Sequence, residues 1–486
     1  MIIDQSLFIL KENIIAILYL ISSIFFVLGI KKLSKPKTAS RGNLLGAFGM
    51  LIAIITAFID FGVTVNVSES LIEFNFQYGY ILLIAILLGT IVGVWSALGV
   101  KMTGMPQMVA IFNGFGGGAS FLVAGVYFGF ELAKQTVLDI PMLIATVLSG
   151  LIGAITFSGS FIAYAKLQGL KIIPDKPVSF KFDLLLKFLL LAGLLGLGVM
   201  MVSTPNTTLW YWLIVGGGLI LGILLVIGIG GADMPVVISL LNAYSGLAAA
   251  ATGFVLNNIV LIIAGSLVGA SGLILTSIMC KAMNRSLLNV LFGGFGGKVS
   301  VTTSDKIYEG KIKSTSPEEV AMIMESAQRI VIVPGYGMAV ARAATPVRLL
   351  TEALEARGVE VVFGIHPVAG RMPGHMNVLL AEENIPYEKL LDLETVNPTF
   401  SNTDLVIVIG ANDVVNPLAR EKDSEIAGMP ILDVDQARTC VVIKRSLSSG
   451  FAGIPNPLFA NDNTLMLFGD GKKAVEELLK AYKELS

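Results

Sequence analysis

The sequence predicts two joined folds: a polytopic α-helical membrane domain of about nine transmembrane helices, then an α/β domain on a doubly wound parallel sheet. Three observations carry that prediction. Of 486 residues, 54% are hydrophobic and 14% charged, where soluble domains carry about 25%. Apolar runs of membrane-spanning length recur as far as residue 281, and residues 182–280 hold only Asp183, Lys187 and Asp233 as charged side chains. From residue 316 onward, short apolar strands alternate with helical stretches in an ordinary soluble composition.

Crossing a bilayer takes about 20 apolar residues. Spans are predicted near 13–30, 44–64, 77–100, 107–130, 141–165, 184–202, 208–230, 235–256 and 259–280. Basic residues set their direction, because cytoplasmic loops collect Lys and Arg. The first loop has Lys31, Lys32, Lys35, Lys37 and Arg41, and the third has Lys101. The fifth has Lys166, Lys171, Lys176 and Lys181, and the exit from the ninth span has Lys281 and Arg285. The even loops differ: 65–76 has Glu69 and Glu73 without a cation, 203–207 is uncharged, and 257–258 is Asn-Asn. Lys134 departs from this pattern, flanked by Glu131 and Asp139. The N-terminus is therefore expected outside and the C-terminal domain in the cytoplasm.

No cleavable signal peptide is expected, since Asp4, Lys11 and Glu12 precede the first run, with no basic leader. Cys280 and Cys440 are too few for a disulfide framework, and their spacing fits no zinc site, so no metal is expected. The net charge of -1 argues neither for nor against nucleic acid, and none is expected as a partner.

Residues 282–315 are rich in Gly, Ser and Lys, a linker composition that divides a membrane domain, 1–281, from a soluble domain, 316–486. Ser316, Pro317, Glu318 and Glu319 then start a helix: an N-cap, proline in the first turn, and acids beside it. Strands are predicted at 330–333, 359–363, 405–409, 430–434, 440–444 and 464–468, with a last helix near 471–484.

Gly335, Tyr336, Gly337, Met338, Ala339 and Val340 follow a strand and open a helix. Glycine lets the backbone turn tightly and approach a pyrophosphate, whose charge suits a helix N-terminus. That is the setting of a Rossmann-like dinucleotide fingerprint, with Val or Ala as the third small residue. A tight turn without a ligand is the plain alternative. Sheets that hold NAD usually end their second strand in an acid; here 359–363 ends in Phe363, Gly364, Ile365 and His366. Strand 440–444 ends in Lys444, Arg445 and Ser446. Two cations and a hydroxyl suit a 2′-phosphate, and they suit a solvated strand end equally. Together with the missing acid they favour NADP(H) over NAD(H).

Other contacts are expected where strands end. The loop after 359–363 offers His366, Pro367, Val368, Ala369, Gly370 and Arg371, and also holds His375. The loop after 405–409 offers Gly410, Ala411, Asn412 and Asp413. Asp413 either caps the next helix or approaches the ligand.

Polar groups inside a membrane are costly and mark pathways by default. No histidine lies in the spans; Asn113, Asp233, Asn242 and hydroxyls such as Ser271 remain. Asp233 reads equally as an N-cap ahead of Pro235. Asn113 and Asn242 suit either interhelical bonding or a wet channel. Asn242, Gly246, Ala250 and Gly253 make a small-residue face, read as close helix packing.

Longer stretches carry a resemblance. GGADMPVVISLLNAYSG (230–246), IMCKAMNRS (278–286), PGYGMAVA (334–341), FGIHPVAGRMPGHMNVLLAE (363–382), VIGANDVVNP (408–417), IAGMP (426–430) and NPLF with LFGD (456–470) are its residues. With them the chain resembles the beta subunit of proton-translocating nicotinamide nucleotide transhydrogenase. The resemblance implies an NADP(H)-binding domain that meets NAD(H) on an alpha subunit, which brings further transmembrane helices. It implies Re/Si-specific hydride transfer, NADH plus NADP+ giving NAD+ plus NADPH, driven by protons moving inward. It also implies a dimer of alpha-beta units in a bacterial inner membrane. The 335–340 turn, the 366–371 loop, Ala411 to Asp413, and Lys444 with Arg445 match the family's nucleotide contacts. Asp413 matches an acid near the nicotinamide, and Asp233, Asn242 and Ser271 match positions tied to proton coupling.

Two departures stand out. Many members have a membrane histidine where this chain has Asn113, and asparagine does not titrate. The proton-binding group is then expected elsewhere: at Asp233, at ordered water, or, as favoured, at a histidine on the partner. Phe451 stands where tyrosine is common and keeps a ring for stacking. The rival class is a transporter or channel whose cytoplasmic nucleotide domain acts as a sensor.

Overall fold

The computed structural model describes residues 2–33, 36–66, 71–74, 79–100, 104–135, 138–170, 173, 178, 180–230, 233–283, 286–292, 308, 311–370, 374–422, 424, 426–450 and 452–485. Among them, nine helices are long and apolar enough to cross a membrane. They are α1 (Ile2–Leu33), α2 (Pro36–Gly62), α3 (Gly79–Gly99), α4 (Met105–Ala133), α5 (Ile140–Gln168), α6 (Asp183–Ser203), α7 (Leu209–Ile227), α8 (Met234–Val255) and α9 (Ile259–Ala282). A hairpin that the sequence did not signal, β1 (Val63–Asn66) with β2 (Leu71–Phe74), joins α2 to α3.

The chain divides into two compact units: Met1–Gly228 with Val237–Ile274, and Ile229–Val236 with Leu275–Ser486. In the first, small residues set how closely the helices approach. A Cβ on Gly117 would stand 2.6 Å from the Gly153 carbonyl oxygen, and one on Gly153 would stand 2.6 Å from that of Gly117, so α4 meets α5 backbone to backbone. Tyr211 is fully buried at the centre, and its hydroxyl donates to the Phe121 carbonyl at 2.5 Å. Gly125 and Gly150 make room for its ring, which a Cβ at either position would approach to 2.4 and 2.7 Å. The small face of α8 lies on α9: a Cβ on Gly246 would be 2.5 Å from Gly269 N, and one on Gly272 would be 2.8 Å from Ala243 Cβ. The helices differ widely in how much the chain itself covers them. Most of α8 is buried, but none of the apolar stretch of α3.

The second unit holds α10 (Leu287–Phe292), α11 (Pro317–Ser326), β3 (Arg329–Pro334), α12 (Tyr336–Val340), α13 (Ala344–Glu355), β4 (Glu360–Ile365), α14 (His375–Glu382), β5 (Leu390–Asp392), α15 (Leu393–Val396), β6 (Leu405–Ile409), β7 (Thr439–Lys444), β8 (Thr464–Phe468) and α16 (Gly471–Glu484). Six parallel strands run in the order β5-β4-β3-β6-β7-β8, an open doubly wound sheet. Nearly every residue of β3, β4, β6 and β7 is buried, as parallel strands covered on both faces require. α11 starts on the expected capping box: Ser316 Oγ accepts from Glu319 N at 3.3 Å, and Glu319 Oε2 accepts from Ser316 N.

One predicted strand is not a strand. Residues 430–433 take no regular structure and Val434 opens a 3-10 turn; Ile431, Leu432 and Val434 are buried, but outside the sheet. Pro430 has no N–H to give a ladder, and side chains take the neighbouring backbone groups. Asn397 Nδ2 donates to Ile431 O at 2.9 Å, Asp433 N donates to Asn397 Oδ1, and His366 Nε2 meets Pro430 O. The sixth strand is instead Leu390–Asp392, three residues on the far edge. At the other edge Met466 N donates to Lys313 O and Thr315 N donates to Met466 O, so the chain begins to pair with β8 ahead of the expected helix start.

Candidate functional site

The strand order reverses direction between β3 and β6, and a crevice at such a switch point is where open α/β sheets bind ligands. Two turns meet there. Gly335 N donates to Ile409 O and Gly337 N to Gly410 O, both at 2.9 Å. Gly410 has φ +64, and a Cβ on it would stand 2.5 Å from Gly337 Cα. A Cβ on Gly335 would stand 2.4 Å from Ala411 Cα. The glycines therefore let two strand ends touch, in addition to keeping the turn tight. Met338 and Ala339 are buried, while Val340 is exposed. The helix that opens here is only Tyr336–Val340. Arg342, at φ +54, breaks it before α13 begins.

Lys444 closes β7 at this edge. Its Nζ reaches Asn412 Oδ1 at 3.3 Å, bonds to the Ser448 carbonyl, and lies 4.8 Å from the centre of the Phe459 ring. Burial pushes the Lys444 ammonium below the ordinary lysine range, and the charge of Asp413 offsets part of that. Arg445 and Ser446 are exposed next to it, and Ser446 Oγ is 2.9 Å from Ser448 Oγ. An anion placed here would meet one half-buried and one exposed cation, with hydroxyls in reach. That donor set suits a phosphate.

Asp413 bonds within the protein on both oxygens. Oδ2 accepts from Ala452 N at 2.9 Å and Oδ1 accepts from Asn412 Nδ2 at 3.1 Å. It opens the Asp413–Val415 turn, which Asn412 caps. Its carboxylate ties Ala452 to the end of β6, and a Cβ on Gly450 would press on Asn412 and Asp413 at 2.4 and 2.5 Å. His366 is also committed to the fold. Nδ1 accepts from Val368 N at 3.3 Å, which leaves the Nε2 proton for Pro430 O at 2.7 Å. Burial holds its pKa down at about 4, so the ring is neutral. Pro367 is exposed, Val368 and Gly370 are half-buried, and Ala369 is buried. Gly370, at φ +114, leans on His375, whose Nδ1 a Cβ would approach to 2.4 Å. Tyr336 sits 6.3 Å from His375, ring to ring, which joins this loop to the glycine turn. Arg371 and Phe451 lie outside the described residues.

In the membrane helices, Asn113 is buried and its Nδ2 donates to Ile238 O at 3.3 Å. It meets α8 one turn before Asn242, which is half-buried and whose carbonyl accepts from Ser245 Oγ at 2.8 Å. Asp233 is buried, with its N–H on Gly230 O. Ser271 is exposed on α9 and its hydroxyl returns to Val268 O at 3.0 Å. Two polar clusters escaped the sequence reading. Ser149 Oγ bonds to Thr252 Oγ1 at 2.8 Å and to Ser120 O at 3.1 Å, joining α5, α8 and α4. At the end of α7, Lys166 Nζ donates to Ile227 O at 2.6 Å, close to a buried Lys187–Asp183 pair at 2.7 Å. A Cβ on the next residue, Gly228, would lie 3.4 Å from Lys187 Nζ. Lone hydroxyls have no spacing signature, but charges in an otherwise uncharged run were a signal available in the sequence.

Comparison with known proteins assigns the chain to a family. The family model described as NAD(P) transhydrogenase beta subunit matches residues 15–481. Two relatives from Rhodospirillum rubrum, one of them of a named strain, are each called NAD(P) transhydrogenase subunit beta. Each is 46% identical over 469 residues, covering 95% of this chain and 98% of the relative.

Proposed function

Because this chain belongs to the NAD(P) transhydrogenase beta-subunit family, we propose that it binds NADP(H) at the C-terminal edge of its sheet. There it exchanges hydride with NAD(H) on an alpha subunit, NADH plus NADP+ giving NAD+ plus NADPH, Re/Si-specific and coupled to inward proton movement. The observation that carries the reading is Lys444, half-buried at the switch-point edge with exposed Arg445 and Ser446 beside it. Lys444 and Arg445 take the 2′-phosphate. The 335–340 and 410–413 turns hold the dinucleotide's backbone, and Asp413 fixes the wall on which the nicotinamide rests. Hydride transfer is chemistry the nucleotides supply; protein contributes distance and orientation.

Residues 1–281 act as the proton-translocating domain, 282–315 as the connection and 316–486 as the NADP(H) domain. Asp233, Asn242, Asn113 and Ser271 are the coupling group, with a titrating histidine supplied by the partner. The unit is a dimer of alpha-beta pairs in a bacterial inner membrane, with the N-terminus outside and the sheet domain cytoplasmic.

Inverted membrane vesicles with the alpha-type partner test the reading. On adding NADPH and NAD+, NADPH oxidation and uncoupler-sensitive acidification of the lumen are expected together. Transfer without acidification removes the coupling, and absence of transfer removes the enzyme reading.

A further inference from the structure

Tyr308 lies between the last span and the sheet domain, in a stretch whose composition suggests only a linker. Its ring stacks on Phe459, centroids 6.4 Å apart and planes 23° from parallel. Its hydroxyl accepts from Asn456 N at 2.8 Å. Asn456 is buried and faces two ways. Its Nδ2 donates to Asn412 O at 3.0 Å, and its Oδ1 accepts from Leu458 N, capping the turn that carries Phe459. Phe459 in turn lies 4.8 Å from Lys444 Nζ, which reaches Asn412 Oδ1. Two routes therefore leave Tyr308, one through the Asn456 amide and one through the Phe459 ring. Both end on Asn412 and Lys444.

We propose that Tyr308 is a positioning residue for the nucleotide, tying the chain that arrives from the last span to Asn412 and Lys444. The inference rests on the reading that NADP(H) binds at that edge. A ring held in an apolar cluster with only packing to do would need no hydroxyl on the Asn456 amide. Because the contact is shared, the bias runs both ways: nucleotide at the edge fixes Tyr308, and a displaced Tyr308 weakens the nucleotide.

The test uses the full chain with its alpha-type partner in lipid nanodiscs and NADP+ as the probe. Tyr308→Phe keeps the ring and removes the acceptor. Its NADP+ dissociation constant is expected to rise about three- to tenfold, with KM for the NADP substrate rising more than kcat falls and NAD+ binding unchanged. An NADP+ constant equal to that of the unaltered chain overturns the inference. Should Tyr308→Phe fail to fold, Tyr308→Trp decides. Trp95, Trp210 and Trp212 all belong to the membrane helices, so tryptophan at 308 reports on this cluster. NADP+ should shift its emission, and an indifferent emission overturns the proposal. Lys444→Ala separates the two levels. If it weakens NADP+ while Tyr308→Phe does not, the positioning role fails alone. If neither changes NADP+ binding, the site reading fails with it.

Discussion

Lys187 and Lys444 are both lysines drawn out of water, and their partners differ in kind. Lys187 faces a carboxylate one helical turn away, Asp183 at 2.7 Å, with both side chains at most 4% exposed. Lys444 bonds to neutral oxygens, those of Asn412 and Ser448, and lies by an aromatic ring, while the Asp413 carboxylate, not paired with it directly, offsets part of its burial. A cation balanced in place has no charge left to offer, and its removal strands its partner. A cation bonded to neutral groups and only partly offset by a nearby carboxylate is incompletely compensated, and an incoming anion can complete it. His366 meets the problem of burial a third way, by staying uncharged. The lesson is that burial alone does not decide what a lysine has left to offer; a carboxylate bonded to it does.

That contrast can be broken experimentally, beginning with the largest effect. Lys187→Met leaves Asp183 buried and alone, and should destabilise the membrane domain by about 3–5 kcal/mol. The double variant with Asp183→Leu should recover most of it. Unfolding in detergent micelles reads both, and a double variant no better than the single would break the paired-charge argument.

His366 comes next. Its folded-state pKa, about 4, lies below the ordinary 6.5, so the unfolded chain takes up the proton first. The stability it contributes is fully present above pH 6.5 and is lost as pH falls toward 4, by about 3 kcal/mol in all. His366→Gln can still donate to Pro430 but does not titrate, so its acid unfolding profile should flatten across that window. An unchanged slope would assign the acid sensitivity to other groups.

Lys444→Met should raise the NADP+ dissociation constant about tenfold or more while the unfolding midpoint moves little, the reverse of Lys187. A large stability loss with intact NADP+ binding would erase the distinction. The smallest effect is expected from Lys166→Met, which removes a cation from the carbonyl end of α7 and should cost about 1 kcal/mol, seen as earlier proteolysis of that helix end in a thermal series.

Much of the fold was legible because its signals are local. Apolar runs and the placing of Lys and Arg gave nine spans, and Ser316 with Glu319 gave a helix start that the capping box matches. The glycine turn was legible too, although part of its reason was hidden: Gly335 and Gly337 are needed against the backbone of Gly410 and Ala411, which lie far off in sequence. What misled was composition without context. Residues 430–434 look like a strand, but Asn397 and His366 take the groups a ladder would use. β5 is too short to show a period. Tyr308 sits in a glycine-rich stretch and declares itself only through Asn456 and Phe459. The partner of Asn113, a carbonyl on α8, is a tertiary fact with no trace in spacing.

The two margins of the sheet bear on how the domain survives its own synthesis. An open strand margin is a template for foreign chains, and proteins blunt it by shortening or covering it. Here β5 offers three residues, and Asp392 at its end, exposed, caps α15 by accepting from Thr395 N at 2.9 Å. At β8, Lys313 and Thr315 take the N–H and carbonyl of Met466 in the middle of the strand. The domain follows the apolar helices in the chain and so is made after them, when copies of the chain would share one membrane plane. With one margin abbreviated and the other engaged at its middle, sibling chains crowded in that plane find little to zip against, and the sheet can close before it aggregates.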